Sequence, residues 1–279
     1  MSPRPKFDSP PVVETVLSVQ FASLPGYSTA HAGWFWKEYL KKLTDEMSAP
    51  VAWSHAMDAP RLEDQFERFG PEDVWQGPSM RLINQAQPQR TQFIRSDGER
   101  MIQVQDSRFI LNWKKGASHY PSYDSLFPEF RQTLHAFESF ALESGLGALA
   151  YNQWEIVYVD QIKKGEMWES ARDWRRIFPS LSLPVQVNRF LSTGDETMSA
   201  DWRFSLMEKR GRMHISVRQL RTPPSNEEFL SITFVARGPV NESQTWEQGL
   251  ELGHEALNET FVAIASSEAQ TSWKPRGGK

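Results

Sequence analysis

The order of apolar patterns along this chain occurs twice. From about Val12 to Gly145 a strand, a helix, several short strands and a long helix follow one another, and the same order returns from about Tyr151 to Trp273. Alternation marks the strands and recurrence every three or four residues marks the helices, so element order is read from periodicity alone. Each long helix carries one apolar stripe: Phe127, Phe130, Leu134, Phe137 and Ala141 in the first, and Trp246, Leu250, His254, Leu257, Phe261 and Ile264 in the second. Such a stripe must bury against a sheet or another helix. The expected fold is α+β, with two tandem copies of a strand–helix–antiparallel strands–long helix unit and the helices packed on one face of the sheets. Residues 1–11, with four prolines, read as an extended arm. Residues 12–147 and 148–273 read as the two α+β halves, and 274–279 as a polar tail.

Within the first half, Glu14–Phe21 reads as a strand. A helix is expected from His31 to Met47, capped by Ser28 or Thr29, with Trp36, Leu40, Leu43 and Met47 on one side. Asp58–Asp73 is acidic, holds Pro60 and Pro71, and reads as a surface loop. Strands are expected at Met80–Ala86, Thr91–Arg95, Arg100–Gln105 and Arg108–Trp113. Asp97 and Gly98 suggest a type I′ hairpin. The long helix should start near Asp124 and end on Gly145. The second half predicts a strand at Tyr151–Ile162 and a short helix at Met167–Ile177, stopped by Pro179. Further strands are expected at Val185–Leu191, Asp201–Met207, Arg212–Leu220 and Phe229–Arg237. Asn241 or Ser243 should cap the last helix.

Composition narrows the function classes. The chain has no cysteine, which excludes disulfides, thiolate nucleophiles, iron–sulfur clusters and cysteine-ligated zinc. No run is long and apolar enough for a membrane helix, and no apolar segment follows the N-terminus as in a signal peptide. The expectation is a cytoplasmic protein without membrane contact. A net charge of −4 argues against a coat of nucleic acid over the whole surface. Eleven Trp and seventeen Phe supply a bulky core.

Catalytic and cofactor motifs are missing. His254 and Glu255 begin like a zinc-protease helix, but position 258 is Asn where the second ligand belongs. The six histidines have no metal-type spacing, so no metal and no cofactor are expected. His254, the histidine of an apolar stripe, reads as a packed side chain with a hydrogen-bond partner. One constellation stands out. Trp202–Met207 and Arg212–Arg218 form a hairpin whose alternation puts Trp202, Phe204, Leu206, Met213, Ile215 and Val217 on one face. Arg203, Ser205, Arg212, His214, Ser216 and Arg218 then share the other. Antiparallel sheets alternate in this way even where the polar face is only solvated. The functional reading is a surface for anions or a partner, since the guanidinium fork bonds both oxygens of a carboxylate or phosphate.

Four segments carry a resemblance to a known family: Pro10–Phe21, Arg108–Trp113 with the helix entry at Tyr120–Phe137, Tyr151–Asp160, and Gly253–Phe261 with Trp273 behind it. Together they resemble a sporadically distributed family of bacterial proteins of uncharacterised function. The resemblance implies no catalytic residue. It implies an accessory role, of the kind found in phage defence or toxin–antitoxin loci. The leading expectation is a non-enzymatic binding protein with a protein partner or an anionic ligand. The alternative is a nucleic-acid-binding protein that sets Arg203, Arg212 and Arg218 on phosphates. A third reading, an enzyme on a small anionic substrate, would use His214 as the acid–base group.

Overall fold

Val12–Phe21 (β1) and Tyr151–Lys163 (β6), the opening strands of the two halves, pair antiparallel, with Leu17 opposite Ile156 and Val19 opposite Trp154. That pairing joins both halves in one sheet. A computed structural model describes residues 7–46, 52–67, 69, 89–181 and 197–275. The remaining strands are Trp53–Pro60 (β2), Gln89–Arg95 (β3), Arg100–Gln105 (β4), Arg108–Lys114 (β5), Ser199–Ser205 (β7), Arg212–Thr222 (β8) and Glu227–Pro239 (β9). The nine described strands run in the order β2-β3-β4-β5-β1-β6-β9-β8-β7, every neighbour antiparallel.

The helices cover one face. Tyr123–Glu143 (α3) lies over β5, and Trp246–Ile264 (α5) lies over β6 and β9. Thr29–Phe35 (α1) and Lys41–Glu46 (α2) are joined by a π-helical turn, Trp36–Leu40. Short helices Trp174–Ile177 (α4) and Ser267–Ser272 (α6) pack on each other. The core is one connected body of buried side chains, with Leu17, Val19 and Phe21 of β1 and Trp154 and Ile156 of β6 at its centre. The expectation of helices on one face holds. A separate sheet for each half does not, because β1 and β6 use up each other's edges.

The α3 end follows the expected pattern. Gly145 takes φ +76°, Leu146 N–H reaches Ala141 O at 2.9 Å and Gly145 N–H reaches Leu142 O at 3.2 Å, a Schellman cap. At α5 the cap is Thr245, not Asn241 or Ser243. Its hydroxyl accepts from Gln248 N–H at 3.3 Å, and the Gln248 side chain accepts from Thr245 N–H at 3.0 Å. The turn at Asp97–Gly98 also differs. Only Gly98 takes a positive φ, and its N–H closes on Arg95 O, so a single left-handed glycine replaces the type I′ pair. In the first helix the π turn brings Phe35 and Leu40, five residues apart, onto the buried side, while Trp36 and Leu43 are half-buried. The second short helix shrinks to a 3-10 turn and α4, because Ser170 and Asp173 form a capping box that starts the helix late.

Part of the expected acidic loop is a strand. Residues 58–60 end β2, which pairs with β3 at the sheet edge. Among its side chains only Trp53 is buried, so no alternation announced it. Pro60 is tolerated at the end of an edge strand. The N-terminal arm, from Phe7 on, is not a free extension. Asp8 and Ser9 donate to Lys274 and Trp273 carbonyls at 2.9 and 3.1 Å, and Gln161 N–H reaches Pro11 O at 2.9 Å. Phe7 packs edge-on to Phe261 and to Trp273, the buried last residue of the second half. The strands expected at Met80–Ala86 and Val185–Leu191 lie outside the described residues.

Two glycines let α5 settle on the sheet. A Cβ at Gly249 would stand 2.2 Å from Trp154 Cδ1, and one at Gly253 would stand 2.6 Å from Ile156 Cγ2. Both neighbours are fully buried. Gly249→Ala should therefore lower stability by about 1–3 kcal/mol through overpacking, although alanine is the better helix former. Urea unfolding of the variant checks this; a gain in stability would show that the helix is free to lift.

Candidate polar face and buried carboxylate site

The face of the sheet away from the helices is polar and largely covered. Four side chains on four adjacent strands form a ladder. Asn112 on β5 donates to Glu14 on β1 at 2.7 Å, Gln103 on β4 donates to Asn112 at 2.6 Å, and Gln92 on β3 donates to Gln103 at 3.0 Å. A second row is ionic. Arg108 is buried; its Nη2 donates to Gln20 at 2.7 Å, and its Nη1 stands 3.7 Å from Glu155. Glu155 also accepts from Arg237 at 3.2 Å. Burial lowers the Arg108 pKa, with the Glu155 carboxylate opposing.

Residues 61–67 cross this face as a strap. Gln105 exchanges two hydrogen bonds with the Leu62 backbone, both at 3.0 Å, as a strand neighbour would. Gln65 N–H donates to Gln20 at 3.0 Å. Arg61 holds one end of the strap through Asp106 at 2.8 Å and Ser107 at 2.9 Å. Glu67 holds the other. Its carboxylate accepts from His214 Nε2 at 2.8 Å and from Arg237 Nε, with its side chain only 7% exposed. Burial works to raise the Glu67 pKa, but the His214 hydrogen bond and the Arg237 charge outweigh it and hold the carboxyl below its usual value. Beside this anchor Phe66 and Phe69 stand exposed.

Arg203, Ser205, Arg212, His214, Ser216 and Arg218 lie on β7 and β8, with Arg203 opposite His214 and Ser205 opposite Arg212. Trp202, Phe204, Ile215 and Val217, on the other parity, line an apolar groove with Ile264 of α5. Carboxylates already reach the basic side. His214 is held by Glu67, and Arg218 makes two hydrogen bonds to Asp201 at 2.7 and 2.9 Å. Arg218 remains 41% exposed, and Arg203 and Ser205 are exposed. No pattern along the chain announces the strap, since residues so distant from the hairpin carry no periodic signal of where they return.

On the helix side, β6 breaks the apolar rule. Trp154, Ile156, Tyr158, Asp160 and Ile162 share one parity and are all buried. Asp160 is the carboxylate in that series. It is 2% exposed, and its Oδ1 has no hydrogen-bond partner. Burial pushes its pKa up to about 8. Next to it, the Tyr158 hydroxyl shares a 2.6 Å hydrogen bond with His254 Nδ1 from α5. The His254 ring stacks on Tyr123 of α3, centroids 4.0 Å apart and planes 9° apart. Asn258, one turn further on, brings Nδ2 within 3.0 Å of the same imidazole nitrogen. Burial also pushes the Tyr120 phenol up to about 12. These groups border a cavity of about 150 Å³, closed on one side by Phe7–Pro10. His254 is thus buried and hydrogen-bonded, as its place on the stripe suggested. The signal for Asp160 lies in the residue order of β6: a carboxylate at core parity among apolar and aromatic neighbours.

Among the described residues no group of three or more His, Asp or Glu side chains could hold a metal ion, and no helix is long and apolar enough to cross a membrane. Comparison of the chain with protein-family models, with curated proteins and with solved structures finds no match.

Asp160 predicts a pH dependence. An ordinary aspartate ionises near ~3.9, whereas in the fold burial moves the ionisation up to about 8. Between those values the folded chain keeps a proton that the unfolded chain has lost, so stability falls as pH rises and levels off above the folded pKa. Asp160→Asn removes that slope. The variant should gain melting temperature over wild type progressively from pH 5 to pH 8. Parallel melting curves in both proteins decide it; a constant difference would mean that Asp160 ionises normally.

Proposed function

We propose that this chain is a non-enzymatic binding protein that takes an extended, acidic segment of a protein partner on the polar face of its sheet. One observation supports this above the others: the strap at 61–67. The face accepts the chain's own extended segment through glutamine amides on its backbone and through His214 and Arg237 on the Glu67 carboxylate. The cationic side chains continue past the strap onto β7 and β8, where Arg203 and Arg218 reach solvent. Exposed Phe66 and Phe69 add the aromatic surface on which interfaces concentrate their energy. The Glu67 hold on His214 makes a free acid–base histidine the weaker reading. The lack of cysteine supports a reducing compartment such as the cytoplasm.

We infer further that 12–147 and 148–273 are two copies of one unit. In support, β1 is followed outward in the sheet by β5, β4, β3 and β2, and β6 by β9, β8 and β7, with a long helix closing each half; β2 has no described counterpart in the second half.

The test is fluorescence anisotropy with an acid-rich peptide and with an oligonucleotide, each titrated with salt. The peptide should bind wild type, and replacing Arg203, Arg212 and Arg218 together by Ala should weaken it at least about tenfold, because charge-assisted hydrogen bonds contribute most where no other group takes their place. Oligonucleotide binding with a steep salt response, and none of the peptide, would replace this reading with the nucleic-acid one. No difference between wild type and the triple variant for either probe would leave the face without a binding role. A second prediction concerns the strap. Glu67→Ala frees His214 and Arg237 from the internal carboxylate, so the acidic peptide should bind the variant more tightly than wild type; weaker binding would make the strap part of the receptor, not a competitor for it.

A further inference from the structure

The cavity beside Asp160 has the chemistry of a cation site. Its aromatic wall comes from five parts of the chain: Phe7 from the N-terminal segment, Tyr123 from α3, Tyr158 from β6, Phe234 from β9 and Phe261 from α5. The charged side chains that line it are all carboxylates, Asp8, Asp124 and Asp160; no Lys or Arg appears among the described lining residues. Asp8 and Asp124 carry interactions of their own, while Asp160 is buried with Oδ1 unpartnered. An unpaired buried acceptor is costly, and native folds seldom leave one without a donor. Ring faces attract a cation, and a carboxylate behind them fixes it.

We propose that this cavity binds a small protonated aliphatic amine, with the ammonium N–H donated to Asp160 Oδ1 and the alkyl groups against the aromatic wall. The size fits a compact ligand. A cavity of about 150 Å³ is the size that takes up benzene in an engineered protein core, so an amine with four or five carbons is the upper range. The unpartnered oxygen selects for an N–H donor, which a protonated amine has and a quaternary ammonium lacks. A neutral alcohol of the same shape can donate an O–H but brings no charge to pair with the carboxylate. This site lies on the opposite side of the sheet from the polar face and does not depend on the role given to that face.

Binding should be linked to pH. Burial holds Asp160 in its neutral form until about pH 8, so an ammonium must displace the proton. Affinity should rise about tenfold per pH unit below that value and level off above it. The other groups facing the site are Asp8 from the N-terminal segment, His119 and Tyr120 from the link before α3, Tyr123 and Asp124 on α3, Tyr158 on β6 and His254 on α5.

The test uses the full chain with three probes of similar shape: tert-butylamine, tert-butanol and tetramethylammonium, each by calorimetry and thermal shift at pH 6, 7, 8 and 9. The amine should bind, tightening with pH, and should bind at least tenfold better than either of the others. Calorimetry in two buffers of different ionisation enthalpy should show a proton released on binding at pH 7, a readout that needs no variant. Asp160→Asn, which keeps the shape but cannot ionise and is expected to fold, should lose the preference for the amine. Equal binding of tert-butanol, amine binding without proton release, an undiminished preference in Asp160→Asn, or no binding of the amine at millimolar concentration would each overturn the proposal.

Discussion

The indole of Trp154 sits in a slot made of glycines, and the arrangement of the second half depends on it. Gly211 and Gly238 flank it in the sheet layer, where an added Cβ would come within 2.8 and 2.9 Å of the ring, and Gly249 and Gly253 close over it from α5. A large flat side chain at the sheet centre would ordinarily hold a covering helix away. Here the missing side chains on the helix let the ring fill the gap, and the helix rests on the indole itself. Interiors pack at crystal-like density, so such a fit leaves little freedom to shift. The fixed distance has consequences one turn along α5. It brings His254 to hydrogen-bonding range of Tyr158 and sets its ring flat on Tyr123 of the first half's long helix.

The two faces of β6 therefore do different work. One side presents Gln153 and Glu155 to a layer of amides, guanidinium groups and the strap. There Glu155 and Glu67 balance Arg108, Arg237 and His214, although the Arg108 Nε itself is buried without a partner. Buried charges are tolerated when paired and hydrogen-bonded, and a network of this kind fixes one register. The other side presents Trp154, Ile156 and Tyr158 to the helices and then, at Asp160, a carboxylate without a partner on Oδ1. One strand thus carries a polar, ion-paired face and an apolar face with one carboxylate in it.

Much of this was legible from the residues, and the failures have physical causes. The long helices, the strands of both hairpins and the helix-side parity of Trp202, Phe204, Ile215 and Val217 all follow from one-sided burial, which leaves a period in the sequence. Edge strand β2 leaves none, because backbone pairing alone makes it a strand and its side chains are in water. The Thr245 cap lay within a cluster of eligible residues, and its selection depended on Gln248 three positions later. The basic hairpin face was read as open because the strap comes from residues about 150 positions earlier; the Glu67–His214 contact spans 147 residues. Single-sequence patterns describe which face a residue takes, not which distant segment comes to cover it. The pairing of β1 with β6 in one sheet is invisible for the same reason: both strands are apolar on their helix side whichever strands they pair with.

Asp160 shows how far parity alone can go. Along β6 the core positions run Trp, Ile, Tyr, Asp, Ile, and the rule that predicts burial for four of them predicts it equally for the fifth. A surface role for Asp160 would need a bulge to rotate it outward. The pairing of β6 with β9 is continuous from Gln153 to Lys163, with Asp160 opposite Ile232, so no such rotation occurs. The carboxylate is therefore forced inward by the same register that buries Ile156 and Ile162. Shifting the strand by one residue to expose it would send Trp154 and Tyr158 out as well. An apolar residue at this position would fit the surrounding core and remove the desolvation penalty. That the carboxyl stands there, with a cavity beside it and aromatic rings around it, is the local inconsistency that fold stability does not explain and that the proposed amine site would.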